Sequence, residues 1–137
     1  MSDANKAVVR RWLEEAMEKG NLDIVDELFA ETYVFRTPGV TATGPGEMRA
    51  LATSYKTAFP DMKVTIDDQI SEGERVVTKW TSQGTHQGFL GDIPPTGNSV
   101  TMTGVLITRF VGGKPVEDWQ NFDELGMLRQ IGAVPPA

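Results

Sequence analysis

A short segment near the end of the chain, residues 115–122, carries the side chains best suited to acid–base chemistry. The Gly112-Gly113 pair before it predicts a hairpin turn, since both central residues of the favoured turn need positive φ, and the segment should be a strand. Side chains alternate between the faces of a strand, so Asp118 and Gln120 share one face. A carboxyl group can exchange a proton, whereas a glutamine amide can only orient or polarise a ligand near neutral pH.

The role of Asp118 depends on what its face of the sheet meets. If that face covers an apolar cavity, burial should raise the pKa of the carboxyl group and make Asp118 a candidate acid and base. The alternative is a solvated strand residue near the edge of the sheet. The sequence leaves both interpretations open.

His86 is the single histidine of the chain and follows a predicted strand over residues 75–85. If no bulge intervenes it shares a face with Trp80 and Ser82. It could relay a proton or donate a hydrogen bond at a cavity wall. Alternatively, it is a structural histidine that ties the loop 87–99 to the sheet. That loop either shapes the mouth of a cavity or only connects two strands.

Composition excludes several other chemistries. One histidine and no cysteine cannot form a zinc site of the usual type, and the sequence has no glycine-rich nucleotide loop, so we expect neither metal nor cofactor. The net charge of −6 argues against a nucleic-acid partner. No apolar run approaches the roughly 20 residues that span a bilayer, so we expect no membrane partner. The absence of cysteine and of a signal-peptide pattern is typical of a cytoplasmic protein.

The elements that must position these residues follow from hydrophobic periodicity. Apolar residues at three- and four-residue spacing predict amphipathic helices, and alternating or β-prone segments predict strands. The predicted helices cover residues 3–19, 22–30 and 44–59, with a last helix from Asp123, and the predicted strands cover 32–35, 63–70, 75–85, 100–111 and 115–122. This order indicates one α+β domain over residues 1–137, with helices on one side of an antiparallel sheet.

Several ordered motifs carry a resemblance over nearly the whole chain. They are Phe59-Pro60-Asp61, Gly84-Thr85-His86-Gln87-Gly88, Ile93-Pro94-Pro95-Thr96-Gly97, Thr103-Gly104, Glu117-x-Trp119 and Leu128-Arg129-Gln130-Ile131-Gly132. Their combination resembles the SnoaL-like polyketide cyclase family, within the wider nuclear-transport-factor-like superfamily. The resemblance implies a cone-shaped curved antiparallel sheet whose N-terminal helices enclose an apolar cavity.

The same resemblance implies a chemistry and a departure from it. In the resembling cyclases the motif around Trp119 reads Glu-His-Trp-Asp, and its aspartate is the acid and base for intramolecular aldol ring closure. This chain has Asp118 at the histidine position and Gln120 at the aspartate position. We therefore expect Asp118, Gln120 and His86 as catalytic candidates, and whether the protein is an enzyme stays open.

Several side chains are expected to line the cavity. They are Trp12, Tyr33, Phe35, Tyr55, Trp80 and Met102. Either tyrosine could donate to an oxyanion or be a half-buried scaffold residue, and a methionine adapts well to a ligand.

The expected function is cofactor-free acid–base chemistry, an aldol-type cyclisation or related isomerisation, on a hydrophobic small molecule with a carbonyl group. The alternatives are a non-catalytic small-molecule-binding protein and an epoxide hydrolase or hydratase. The second face of the sheet carries Val77, Thr81 and Trp119, which one terminal helix cannot cover, so we also expect a homodimer.

Overall fold

Six strands form one curved sheet against which the helices pack. The structure is a computed structural model and describes residues 2–135. The strands are β1 Val34–Thr37, β2 Val40–Thr43, β3 Lys63–Glu72, β4 Arg75–Thr85, β5 Ser99–Val111 and β6 Lys114–Phe122, and their order across the sheet is β2-β1-β6-β5-β4-β3. The predicted α+β class is confirmed.

The sheet is mixed, whereas an antiparallel sheet was predicted. Strands β3 to β6 pair antiparallel, as expected. Strand β1, however, lies parallel to β6, with Phe35 opposite Asp118. Parallel neighbours need a long crossover, and the chain between these two strands is long enough to supply it. Strand β2 was not predicted; it pairs with β1 as a hairpin whose turn is Pro38-Gly39.

The helices are found in the predicted order with some changes in their bounds. They are α1 Ser2–Arg11, α2 Ile24–Leu28, α3 Gly44–Ala58 and α4 Glu124–Gln130. The first predicted helix continues beyond α1 as a π-helical segment over Trp12–Glu18. Its wider turn is visible where the Lys19 amide donates to the Glu14 carbonyl five residues earlier, at 3.1 Å. Such turns are rare and frequently lie at functional sites.

Local signals explain where two elements turn and begin. Gly112 and Gly113 both have positive φ, at 58° and 80°, as the predicted hairpin between β5 and β6 requires. The Asp123 carboxylate accepts a hydrogen bond from the Gly126 amide at 2.9 Å, which caps α4 as predicted. Both signals fix the ends of β6, the strand that carries Asp118 and Gln120.

The core lies between the helices and the inner face of the sheet. On β4 the even-numbered residues from 76 to 82 are buried and their odd-numbered neighbours are more exposed, so Trp80 and Ser82 point inward. Strand β3 has a bulge between Ile66 and Asp68. The bulge reverses the alternation along the strand and turns Asp68 to the exposed face.

The outer face of the sheet carries an apolar row that crosses four strands. Ile70 pairs with Val77, Val77 with Ile107, and Ile107 with Trp119. Ile70 is 62% exposed, and the other three side chains are partly exposed. Within residues 2–135, no helix combines the length and apolar composition needed to cross a membrane.

Candidate functional site

A pocket of about 100 Å³ opens between the helices and the inner face of the sheet. The π-helical segment and α3 form one side, and β1, β4, β5 and β6 form the other. Most of the lining side chains are apolar. A partly enclosed apolar pocket with a few polar groups is the usual form of a small-molecule site.

Six of the side chains singled out by the sequence line this pocket. They are Trp12, Phe35, Tyr55, Trp80, Met102 and Gln120. Gln120 and Phe122 point into it from β6, so the face assigned by strand alternation is the inner one. Tyr33, His86 and Asp118 are fully or almost fully buried but lie outside the pocket lining.

Asp118 is held in a buried polar cluster with Tyr33 and Thr108. The Tyr33 hydroxyl donates to one carboxylate oxygen at 2.5 Å, and the Thr108 hydroxyl donates to the other at 2.5 Å. Asp118 is only 2% exposed, so it is not the solvated strand residue that the sequence also allowed. Tyr33, which was expected to line the cavity, lies outside the pocket lining, and its hydroxyl donates to Asp118 instead.

Burial dominates the ionisation of this cluster. It raises the pKa of Asp118 to about 7, although the two hydroxyl donors act in the opposite direction. Burial, and then the neighbouring Asp118 charge, raises the pKa of Tyr33 well above its ordinary value. Tyr33 is therefore a neutral donor, and Asp118 changes its charge near neutral pH.

His86 ties the following loop to the sheet. Its ring Nδ1 lies 3.0 Å from the Thr96 hydroxyl and accepts from the Thr96 amide at 3.3 Å. Its backbone amide donates to the Asn98 carbonyl at 2.9 Å. These contacts favour the structural interpretation of His86 over the proton relay.

The loop after His86 does not reach the pocket. The Gln87 amide donates to the Ala58 carbonyl at the end of α3, at 2.9 Å, and so does the Gly88 amide, at 3.2 Å. No residue between 87 and 98 lines the pocket. The loop is therefore a connection anchored to α3, rather than the mouth of the site.

Three polar atoms of the pocket lining are buried without a hydrogen-bond partner within residues 2–135. They are Thr37 Oγ1, Trp80 Nε1 and Ser82 Oγ. A buried polar group without a partner costs about 1–3 kcal/mol, so most native structures avoid it. Their concentration beside one pocket is the strongest polar signal of the site.

Gly104 fixes the position of the Trp80 indole. The two residues are directly opposite on β5 and β4. A Cβ atom at position 104 would lie 2.5 Å from Trp80 Cζ2 and 2.9 Å from Phe122 Cβ. The Thr103-Gly104 motif therefore provides the room in which the indole lies flat against the strand.

The sequence reasoning missed Glu124. Among the described residues, it is the only carboxylate that lines the pocket, and it begins α4 directly after the cap residue Asp123. Tyr55 lines the same pocket, and burial and then the Glu124 charge raise its pKa. A residue in the first turn of a helix has an ordinary structural explanation, so only the fold could reveal its position at the pocket.

Methionine side chains make the pocket adaptable. Four of the six methionines of the chain, Met17, Met48, Met62 and Met102, line it. Their unbranched thioethers fill irregular space and change rotamer easily. The pocket can therefore enlarge when a ligand enters.

Comparison with known proteins agrees with this architecture. The sequence model of the family described as SnoaL-like polyketide cyclase matches residues 7–131. No curated protein matches the chain.

Many solved structures are similar. AclR from Streptomyces galilaeus, a proposed hydroxylase, is 26% identical, with 97% of this chain and 83% of that chain covered and a TM-score of 0.86. IdmH from Streptomyces antibioticus, a proposed polyketide cyclase, is 28% identical. The match covers 93% of this chain and 98% of that chain, with a TM-score of 0.79. A proposed SnoaL-like polyketide cyclase from Jannaschia sp. CCS1 is 22% identical, with 97% and 94% covered and a TM-score of 0.89, which shows the shared fold.

Proposed function

This chain belongs to the SnoaL-like polyketide cyclase family, and from that membership we propose that its pocket binds a hydrophobic small molecule with a carbonyl group. At the pocket, the protein moves a proton on the carbon next to that carbonyl, without a cofactor. The observation that carries the proposal is the apolar pocket itself, lined by Gln120 at the family's aspartate position and by the Glu124 carboxylate.

Glu124 is the proposed proton acceptor. Asp118 lies outside the pocket lining, and both its oxygens accept hydrogen bonds from other side chains. In the proposed step, Glu124 takes the α-proton and the C–H electron pair moves towards the carbonyl oxygen. In an aldol closure, the new carbanion then attacks a second carbonyl, whose oxygen receives the proton back from Glu124. The amide of Gln120 positions the substrate.

A second candidate is a protein that binds the same kind of molecule without transforming it. The commitment of Asp118 to Tyr33 and Thr108 favours it, as does an amide at position 120. The hydrolase alternative requires polar groups that converge on one water molecule, and no observation supports it further.

Exchange of α-protons separates the two candidates. Cyclohexanone in D₂O exchanges its α-protons slowly, and one-dimensional NMR follows the loss of their signal. We expect the protein to accelerate this exchange. Glu124→Gln should reduce the acceleration at least tenfold, as substitutions of other general bases do. Glu72→Gln, at an exposed carboxylate on β3, is the matched control and should leave the rate unchanged.

The results distinguish the candidates clearly. Binding of cyclohexanone without acceleration would indicate the non-catalytic protein. Loss of exchange in Asp118→Asn but not in Glu124→Gln would transfer the proton-accepting role to Asp118.

A homodimer through the outer face of the sheet is a further part of the proposal. The apolar row from Ile70 to Trp119 is continuous across four strands, and a second copy would present the same row to it. Light scattering at micromolar concentration should give twice the chain mass. A monomer under those conditions would contradict the dimer.

A further inference from the structure

We propose that Trp80 and Ser82 form a donor pair that recognises the carbonyl oxygen of the bound molecule. The site would therefore prefer a ligand with a hydrogen-bond acceptor to an apolar ligand of the same shape. This inference rests on the proposed function of the pocket and assigns the polar recognition within it.

The hydrogen-bond donors of Trp80 and Ser82 are buried. Trp80 is 8% exposed and Ser82 is 3% exposed, yet the indole Nε1 and the hydroxyl Oγ have no partner within residues 2–135. An indole N–H can only donate, and a hydroxyl can donate by rotating. Both groups would recover a hydrogen bond if a ligand supplied an acceptor between them.

The two donor residues lie close together on one strand. Trp80 and Ser82 are two residues apart on β4, so their side chains leave the same face of the strand and line the same pocket. Within residues 2–135, Thr37 Oγ1 on the short strand β1 is a third buried polar atom of a lining residue without a partner. Hydrogen-bond donors pair with a carbonyl oxygen, whereas a cation offers them no acceptor.

A ligand reaches the two donors only if the adaptable methionine side chains that line the pocket move. Both donor atoms are buried. Met102 is directly opposite Ser82 on the neighbouring strand, and its thioether can change rotamer. A six-membered ring is a small first ligand. An apolar cavity of about 150 Å³ accepts benzene, so the pocket of about 100 Å³ must enlarge to hold such a ring, which its methionine side chains allow.

The donor pair also suits the proposed reaction. Removal of an α-proton leaves negative charge on the carbonyl oxygen. Preorganised donors that meet this oxygen in a dry site stabilise the charge as it develops. The pair would thus orient the ligand and lower the barrier to proton transfer.

Two ligands of nearly equal shape test the inference. Cyclohexanone carries the acceptor oxygen, and methylenecyclohexane replaces that oxygen with a CH₂ group. Titration followed by the indole N–H resonances should show at least tenfold tighter binding of the ketone. The Trp80 N–H signal should move downfield with the ketone only, whereas the Trp119 signal, from the outer face, should stay in place.

Variants localise the preference. Ser82→Ala and Trp80→Phe should each reduce several-fold the ratio of the ketone affinity to the methylenecyclohexane affinity. Ser99→Ala, at an exposed serine on β5, is the matched control for Ser82→Ala. If Trp80→Phe does not fold, Ser82→Ala and the wild-type indole resonance still decide the question.

The outcomes separate this inference from the proposed function. Equal binding of both ligands would leave the pocket as a small-molecule site but overturn the donor pair. An unmoved Trp80 resonance with tight ketone binding would overturn it as well. Binding of neither ligand would reject both the donor pair and the proposed function of the pocket.

Discussion

Two groups of polar side chains lie on the inner face of the same sheet, and they differ in whether their polar atoms have hydrogen-bond partners. In the cluster around Asp118, both carboxylate oxygens accept a hydrogen bond from a neighbouring hydroxyl. In the pocket, the Trp80 and Ser82 donors have no partner within the described chain. Both groups are at least nine-tenths buried, so solvent does not explain the difference.

The comparison shows that burial alone does not identify a functional group. A buried polar group with all its partners stabilises one arrangement of the core and has no capacity left for a ligand. A buried polar group without partners lowers stability until something else supplies them. The first group therefore belongs to the fold, and the second belongs to the site.

The largest predicted effect is the pH dependence of the Asp118 cluster. Its carboxyl pKa is about 7 in the folded protein against an ordinary value of 3.8, so the folded state holds this proton more tightly than the unfolded state. The contribution of Asp118 to stability is full below about pH 4 and is lost as the pH rises through 7. The difference between the folded and ordinary pKa values corresponds to a change of about 4 kcal/mol in the free energy of unfolding.

Urea unfolding of the wild type and Asp118→Asn at pH 4, 6 and 8 measures this effect. The free energy of unfolding of the wild type, relative to the variant, should fall by up to about 4 kcal/mol between pH 4 and pH 8. The other carboxylates cancel in the difference. A difference that is flat with pH would show that Asp118 is not the buried titrating group described above.

An intermediate effect is expected from Thr108→Val. Valine keeps the shape of threonine but removes the hydroxyl that donates to Asp118. At pH 8 the carboxylate loses one of its two donors, so the free energy of unfolding should fall by about 2 kcal/mol. Urea unfolding measures the change, and a loss below about 0.5 kcal/mol would contradict the importance of the cluster.

The smallest effect is expected from the matched change in the pocket, Thr37→Val. The Thr37 hydroxyl has no partner within residues 2–135, so its removal loses no hydrogen bond there and relieves an unsatisfied group. The free energy of unfolding should stay the same or rise by up to about 1 kcal/mol. A loss as large as that of Thr108→Val would remove the distinction between the two groups.

Much of the fold could be predicted because its signals are local. The long strands β3 to β6 and the Gly112-Gly113 turn follow from alternation and turn chemistry. The parallel pairing of β1 with β6 could not be predicted, since nothing in a four-residue strand specifies its neighbour. The bulge before Asp68 was equally invisible, because one unpaired residue leaves no mark on the apolar pattern.

The site could be predicted only through strand alternation, which shows which residues share a face of the sheet. Alternation placed Asp118 and Gln120 on one face, which the fold shows to be the inner one, but only Gln120 lines the pocket. The depth of each residue along that face depends on β1, which places Phe35 beside Asp118. Glu124 escaped notice because it reaches the pocket from the start of a helix, which strand alternation does not describe.

The missing side chain at Gly104 has a consequence for the evolution of this protein. The indole of Trp80 occupies space that any β-carbon at that position would claim. An alanine at position 104 would push the Trp80 indole towards the helices and reduce the volume of the pocket. The width of the pocket therefore depends on Gly104, a residue that a bound ligand would not contact. In related chains, a substitution at this one position would change which ligands the pocket admits.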